Sequence, residues 1–273
     1  MEYTINRAAV RVPGDTRSGT LTQYKPADAA EQLAAVLERV RPGRPGWSSR
    51  PGKWWEALLS DPADRRGGMS SLRAVVYQDK GAPDGYAIWS VKSEWDEAGP
   101  AGKAKAAQVV AATPAAYSAL WRFLLSIDLT RTVTYMFGAV DEPLPFVVTD
   151  PQGLVTALGP SLWVRVVDVP AALGARRYAA PVDVVLDVRD DWVPDNSGAW
   201  RLVGDGDSAT CERTSSAGDL RLDISDLGAI YLGGTSLQTL ADAGRVDELR
   251  PGAVAAATTA FGWHRAPSAI EIF

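Results

Sequence analysis

The sequence predicts an α+β fold in two units, and three observations lead to that prediction. Its 273 residues are enough for about two domains, and hydrophobic residues make up 46% of them, enough to form cores. Runs rich in Val, Ile, Tyr and Trp lie between Gly, Pro and Asp turns and predict strands throughout the chain. In the second half the predicted strands come first and most of the predicted helices follow, which is an order typical of α+β domains.

The first unit is predicted to alternate strands with helices. Apolar alternation predicts strands over residues 1–12, 72–77, 84–89, 106–112, 131–140, 146–149 and 162–167. Apolar residues at helical spacing predict helices over residues 26–40, 52–59 and 114–127. Thr113 and Pro114 suit the start of the last helix, because Thr is a good N-cap and Pro is tolerated at the first helical position.

The second unit is predicted to begin near Val169 with a helix over residues 170–178. Strands are then predicted over residues 182–188, 199–203, 209–214 and 220–224. Helices are predicted over residues 227–232, 236–243 and 251–261, before an extended tail at 268–273. We place the boundary after residue 166, which gives units 1–166 and 167–273.

The charge balance disfavours two classes of partner. Asp plus Glu outnumber Lys plus Arg by 33 to 28, which gives a formal net charge of -5. Binding to nucleic acid or to anionic lipid needs clustered cations, so we expect neither nucleic acid nor a membrane as a partner. The sequence has no apolar leader in residues 1–20 and no run near the ~20 apolar residues of a spanning helix, so we expect a cytoplasmic protein.

Cysteine and histidine counts limit the possible chemistry. The single Cys211 excludes an intramolecular disulfide and a cysteine-based metal site. The single His264 excludes multi-histidine metal sites and disfavours a Ser-His-Asp hydrolase. Residues 65–70 (RRGGMS) are similar to a phosphate loop, but they precede a strand instead of a helix N-terminus, so a solvated loop is favoured.

Two local features indicate a binding site. Trp54 and Trp55 are adjacent in a predicted helix, where neighbours point about 100° apart, so one of them can line a groove. The chain also ends in an apolar segment, residues 269–273 (AIEIF), rather than in a polar tail. We expect this segment to dock, either for stability alone or to bring the α-carboxylate of Phe273 to a partly buried position as a hydrogen-bond acceptor or base.

Four segments carry a family resemblance: residues 119–124 (ALWRFL), 162–173 (LWVRVVDVPAAL), 230–234 (IYLGG) and the terminal Phe273. In this order they resemble the enhanced-intracellular-survival (Eis) family of acetyltransferases. Members of that family have an N-terminal GNAT domain that binds acetyl-CoA, a central GNAT-like domain without cofactor and a C-terminal sterol-carrier-like domain. The resemblance implies a GNAT-like mixed sheet, of the acyl-CoA N-acyltransferase type, followed by a sterol-carrier-protein-like α+β domain.

The sequence departs from the family at its start. It contains no R/Q-x-x-G-x-G/A loop after a strand, and the N-terminal acetyl-CoA domain has no counterpart in it. The resemblance therefore implies the central and sterol-carrier-like domains alone, with acetyl-CoA as the cofactor of full-length members and none expected on this chain. Partners implied by the resemblance are a small-molecule amine, an N-terminal GNAT domain or subunit, and further copies in a homo-oligomer.

The resemblance also implies roles for five residues. Phe273 matches the terminal residue whose α-carboxylate is the general base, Trp55 matches an aromatic residue of the substrate pocket, and Phe137 matches an apolar wall. The family's penultimate acidic residue is not kept, because Ile272 stands there and Glu271 lies one place back. We expect Ile272 and Glu271 at the substrate site, and the change favours an amine that is less basic or more hydrophobic than a polycation.

Three functions remain open from the sequence. The first is the substrate-side portion of an Eis-like, aminoglycoside-type amine N-acetyltransferase, inactive without an acetyl-CoA domain. The second is a sterol-carrier-like module that binds an apolar molecule or lipid under a helix pair at residues 227–243. The third is an assembly protein that docks through its first strand.

Overall fold

The computed structural model describes residues 1–14 and 19–271, which form two compact units. The first unit comprises Met1–Ser161 together with residues 268–271, and the second comprises Leu162–Pro267. Within these described ranges, no helix is both long enough and apolar enough to cross a membrane.

The division differs from the predicted boundary after residue 166 in two respects. It falls earlier, because Val166 is buried in the core of the second unit. The C-terminal tail belongs to the first unit, because Ile270 is buried among apolar side chains of that unit.

The first unit is built on a mixed sheet. Its strands are β1 (Glu2–Asn6), β2 (Thr20–Tyr24), β3 (Arg73–Asp79), β4 (Ala82–Lys92), β5 (Trp95–Asp96), β6 (Gly99–Pro100), β7 (Gly102–Ala111), β8 (Thr130–Tyr135) and β9 (Leu154–Ala157). In the described residues, β5 and β6 form a small ribbon, and the other seven strands lie in the order β2-β3-β4-β7-β8-β1-β9. β7 and β8 are parallel, and the other neighbouring strands are antiparallel.

Helices cover both faces of this sheet. They are α1 (Ala30–Val40), α2 (Gly52–Leu59), α3 (Pro114–Ser126) and the short α4 (Leu144–Val147). Alternate side chains of a strand point to opposite faces, so β3 contributes to two separate cores. Val76 packs with the apolar side chains of α1 and α2, whereas Val75 packs with those of α3.

Several predicted elements of the first unit are wrong or incomplete. The opening strand ends at Asn6 rather than at residue 12, because Asn6 Oδ1 accepts a hydrogen bond from the Ala8 N–H at 3.0 Å and turns the chain. The strand predicted at 131–140 ends at Tyr135, and the strand predicted at 146–149 is replaced by α4. β2 and β9 were not predicted, because their side chains are mostly exposed and show no apolar alternation.

The second unit has its own sheet and core. Its strands are β10 (Val182–Arg189), β11 (Gly198–Gly204), β12 (Ala209–Arg213), β13 (Leu220–Asp223) and β14 (Val246–Glu248), in the order β12-β11-β10-β13-β14. Its helices are α5 (Val169–Gly174), α6 (Ile224–Tyr231), α7 (Leu237–Asp242) and α8 (Ala253–Phe261). The helices pack their apolar side chains onto the sheet, and the α+β class predicted from the sequence is confirmed in both units.

The strand predicted at residues 162–167 is wrong. The segment alternates between exposed and more buried side chains, but it forms no ladder with any strand of the described residues. It lies instead against α6, where a Cβ on Gly228 would stand 2.4 Å from the Val164 carbonyl oxygen, so only glycine fits there.

Candidate active site

The C-terminal segment is docked on the first unit. The Ser268 N–H donates to the Pro45 carbonyl oxygen at 3.1 Å, and Trp47 Nε1 donates to Ser268 Oγ at 3.0 Å. The next two side chains, Ala269 and Ile270, are buried. The path of the chain is therefore fixed up to Glu271, where the described residues end.

Arg50 binds this segment and also contacts the residues around it. Its Nε donates to Glu271 Oε1 at 2.6 Å, and its Nη1 donates to Gln108 Oε1 at 3.1 Å. Its guanidinium also lies 4.9 Å from the centre of the Trp55 ring, a distance typical of a cation–π contact. The Arg50 side chain is only 1% exposed, so the pair with Glu271 is screened little by solvent.

Gln108 links the tail to the sheet. Its Oε1 accepts from both Arg50 and the Tyr86 hydroxyl, the latter at 3.2 Å, which turns its amide nitrogen toward the tail. That nitrogen donates to the Ile270 carbonyl oxygen at 3.4 Å. Burial raises the pKa of Tyr86, so its hydroxyl stays protonated and remains a donor.

The two adjacent tryptophans of α2 have different surroundings. Trp55 is 8% exposed and lies in the same apolar cluster as Ile270, with Phe137 packed against that cluster. Trp54 is 41% exposed. The structure therefore brings the predicted residues Trp55, Phe137 and Glu271 to one place, whereas Ile272 and Phe273 lie outside the described residues.

The strand pairing explains why the site forms near the ends of the central strands β7 and β8. In the described part of the chain, β7 pairs with β8 from Gly102 to Ala106, and beyond that point β7 continues beside β4. Gln108 lies just past the last paired residue, and Phe137 follows the end of β8. The site therefore lies where the parallel pair separates, toward the carboxyl ends of its strands, and open sheets commonly bind ligands at such places.

The residues at the start of α3 do not fit the pyrophosphate of acetyl-CoA. A helix N-terminus binds phosphate through free backbone N–H groups. Here the Thr113 side chain accepts from the Ala116 N–H at 3.2 Å, and Pro114 has no N–H to donate. In the loop at residues 65–70, Arg66 is paired with Asp61 at 3.0 Å.

The remaining sequence candidates do not contribute to this site. His264 is exposed and lies beside the Trp263 ring. Burial raises the pKa of Cys211 to about 11, so its thiolate is scarce at neutral pH. The described residues contain no group of three or more His, Cys, Asp or Glu side chains that could hold a metal ion.

The helix pair of the second unit packs onto its core. Leu227, Ile230 and Leu237, which would line a cavity under α6 and α7, are each at most 1% exposed and lie in the core cluster. An open cleft of about 570 Å³ in this unit lies elsewhere, beside the β11–β12 turn, and includes Asp183 and Asp205 in its walls.

Sequence reasoning missed three polar residues of the site. Arg50, Tyr86 and Gln108 are buried and lie far apart along the chain, so no local pattern connects them. One signal for Arg50 was present in the sequence. In the segment Arg50-Pro51-x-x-x-Trp55, a charged residue stands just before the helix that carries Trp55.

Two family models match the chain in succession. An acetyltransferase (GNAT) domain matches residues 46–166, and a sterol carrier protein domain matches residues 169–269. A mixed sheet with a parallel pair, followed by a sterol-carrier-like unit, defines a protein of the GNAT acyltransferase class. The predicted fold is thereby confirmed for both parts.

Similar proteins narrow the class to one family. An uncharacterized N-acetyltransferase of Streptomyces avermitilis is 45% identical over 96% of this chain, and N-acetyltransferase Eis of Mycobacterium tuberculosis is 32% identical over 90%. The crystal structure of Eis1 from Mycobacterium abscessus superposes with a TM-score of 0.80 at 32% identity, covering 100% of this chain and 67% of that one. The chain belongs to the Eis family of N-acetyltransferases.

The matched relatives are longer than this chain. The alignment covers 64% of the Streptomyces avermitilis protein and 59% of the Mycobacterium tuberculosis protein. A GCN5-related N-acetyltransferase from Anabaena variabilis, at 20% identity and a TM-score of 0.82, shares the fold.

Proposed function

We propose that this chain forms the acceptor side of an Eis-type N-acetyltransferase and binds an amine beside Trp55. The α-carboxylate of Phe273 takes the proton that the amine loses. The observation that carries the proposal is the docking of residues 268–271, in which Arg50 binds Glu271 and Gln108 of β7 binds the Ile270 carbonyl oxygen.

A chain terminus can act as a base only if the preceding residues are held. An amine must lose a proton before or while it attacks an acyl group, and a carboxylate within ~2.6–3.2 Å, directly or through one water, can accept it. Glu271 is fixed by Arg50, and the Ile270 carbonyl is fixed by Gln108. These contacts lie two and three residues before Phe273, and we propose that they hold its carboxylate within reach of the amine.

The surroundings favour an amine with an apolar body. Phe137 is half-buried and offers aromatic surface next to the apolar cluster that holds Trp55, whereas the Glu271 carboxylate is already paired with Arg50. With that acidic group occupied, we propose a substrate that is less basic or more hydrophobic than a polycationic aminoglycoside.

We place the acetyl donor on a separate domain or subunit. The capped start of α3, with Thr113 and Pro114, supports the proposal that this chain does not hold acetyl-CoA by itself. Assembly into a homo-oligomer and a cytoplasmic location stay predictions, and the single free thiol of Cys211 supports the second.

Calorimetric titration with 2-phenylethylamine and its alcohol, 2-phenylethanol, tests the proposal on the chain as it is. The two probes share an apolar body, and only the amine carries a positive charge for the α-carboxylate. We expect the amine to bind at least about tenfold more tightly, equivalent to about 1.4 kcal/mol.

Two variants test whether the preference for the amine over the alcohol depends on the C-terminal residue. Deletion of Phe273 should remove the preference for the amine, whereas Phe273→Leu, which keeps an α-carboxylate at the same place, should retain it. Equal binding of amine and alcohol by the unaltered chain, or an unchanged preference after deletion, would contradict the proposal.

A further inference from the structure

A concave site lies on the face of the first sheet opposite the Trp55 side. It is an open cleft of about 930 Å³ between the segment after β1, the second half of α3 and the start of β8. Its volume is within the range of ~300–1,000 Å³ that is common for small-molecule sites. The cleft borders the α3 core, whereas Trp55 belongs to the core on the other face, so the two sites are separate.

The cleft is amphipathic. Its apolar surface comes from Val10, Leu21, Ala119, Phe123 and Leu125 among others. Its polar surface is dominated by arginines, namely Arg7, Arg11, Arg122 and Arg131. The chain has a formal net charge of -5, so four arginines around one cleft form a local excess of positive charge.

One of the four arginines is balanced by an acid. Arg131 pairs with Asp96 at 2.6 Å. Within residues 1–14 and 19–271, Arg7, Arg11 and Arg122 form no ion pair. Arg7 is held by the carbonyl oxygens of Leu125 and Thr130, which fix its position at the C-terminal end of α3 but carry no full negative charge.

Arg122 has a buried donor that the described residues leave unsatisfied. Its Nη1 donates to the Pro13 carbonyl oxygen at 3.2 Å, and its Nε is buried without a hydrogen-bond partner in the described part of the chain. A buried donor without a partner is costly, and an anion relieves that cost more effectively than a neutral acceptor.

We propose that this cleft binds an amphiphilic anion with one apolar tail. The tail lies on Leu21 and Phe123, and the carboxylate or phosphate head group accepts hydrogen bonds from Arg122 and Arg11. The proposal does not depend on the amine site, because it uses neither Trp55 nor the C-terminal segment.

Calorimetric titration of the chain with decanoate, decyl phosphate and decanol tests this proposal. Decanoate and decyl phosphate share a tail and carry different anionic heads, whereas decanol has the tail alone. We expect at least one of the anions to bind at least about tenfold more tightly than decanol, and the stronger of the two identifies the preferred head group.

Substitutions of the cleft arginines test whether the anion binds in this cleft. Arg122→Gln should weaken binding of the preferred anion at least about tenfold and leave decanol unchanged. Arg11→Gln, at an exposed side chain whose loss does not threaten folding, should weaken it in the same direction, and Arg201→Gln in the second unit is the matched control. Equal binding of the anions and decanol, or unaltered anion binding by both cleft variants, would overturn the proposal.

Discussion

Arg50 Nε and Glu271 Oε1 lie 2.6 Å apart, although 221 residues separate them along the chain. The pair fixes the C-terminal segment on the first unit, where Ile270 lies in the same apolar cluster as Trp55. Charge-assisted hydrogen bonds of this kind are short and geometrically specific. The position of Glu271, two residues before the proposed base, therefore depends on a buried arginine.

Replacing Arg50 should release the tail. In Arg50→Met the carboxylate of Glu271 loses its partner, and an unpaired charge at a buried site is costly enough, at ~3–5 kcal/mol, to favour undocking of the segment. We expect carboxypeptidase to remove the C-terminal residues at least about tenfold faster than in the unaltered chain, as followed by mass spectrometry. Arg39→Met, at an exposed ion pair of the same unit, is the control and should not change the rate.

The tryptophan pair of α2 provides a stability prediction with an internal control. Truncating a buried aromatic side chain costs about 3–5 kcal/mol, so Trp55→Ala should lower the free energy of unfolding by about that amount. Trp54→Ala should cost less than about 1 kcal/mol, since Trp54 is largely outside the core. Urea denaturation of both variants compares them, and equal losses would show that Trp55 is not part of the core.

Asp190 should make the stability of the second unit depend on pH. Burial tends to raise the pKa of Asp190, but its hydrogen bonds outweigh burial and lower the pKa to about 2. The donors are Asn196, the backbone amides of Val193 and Trp192, and Arg165. A lowered pKa means that the ionised form stabilises the fold by about 2 kcal/mol above the ordinary aspartate pKa, and that this contribution is lost as pH falls through about 2.

Asp190→Asn measures that contribution. The advantage of the unaltered chain over this variant in urea denaturation should be constant above about pH 5 and should shrink between about pH 4 and pH 2. Asp191→Asn, at an exposed neighbouring carboxylate, should show a much smaller difference. A difference that does not change across this range would mean that Asp190 is not ionised in the fold.

The start of α3 leads to a prediction about cofactor binding. Thr113 and Pro114 leave too few free N–H groups for a pyrophosphate, so titration of this chain with coenzyme A should produce no binding heat. A dissociation constant in the micromolar range would contradict the placement of the donor on another domain or subunit.

The sequence was most informative where side-chain pattern and backbone pairing agree. The helix predicted at 52–59 has the bounds of α2, and β10 to β13 of the second unit were predicted to within a few residues, whereas the three-residue β14 was not predicted. Residues 162–167 show the limit, because their alternation is present but no strand among residues 1–14 and 19–271 pairs with them. Alternation reports which side chains are buried, and it does not report whether the backbone has a hydrogen-bonding partner.

The site was only partly predictable for a related reason. Trp55, Phe137 and Glu271 could be singled out from the family resemblance, and the structure brings them together. Arg50 and Gln108 are hydrogen-bonded to each other and to the C-terminal segment. Such contacts between distant residues depend on the tertiary fold. Buried polar side chains of this kind leave no periodic signal in a sequence.

The central claim is that the α-carboxylate of Phe273 faces the bound amine. The most direct measurement is carbon-13 NMR of the chain labelled at the phenylalanine carboxyl carbon, in which the terminal carboxylate is distinguishable from the peptide carbonyls of the other phenylalanines. Addition of 2-phenylethylamine should shift that resonance with the same saturation as the calorimetric titration, and 2-phenylethanol should not. A carboxylate signal that resembles a free peptide and ignores the amine would contradict the account.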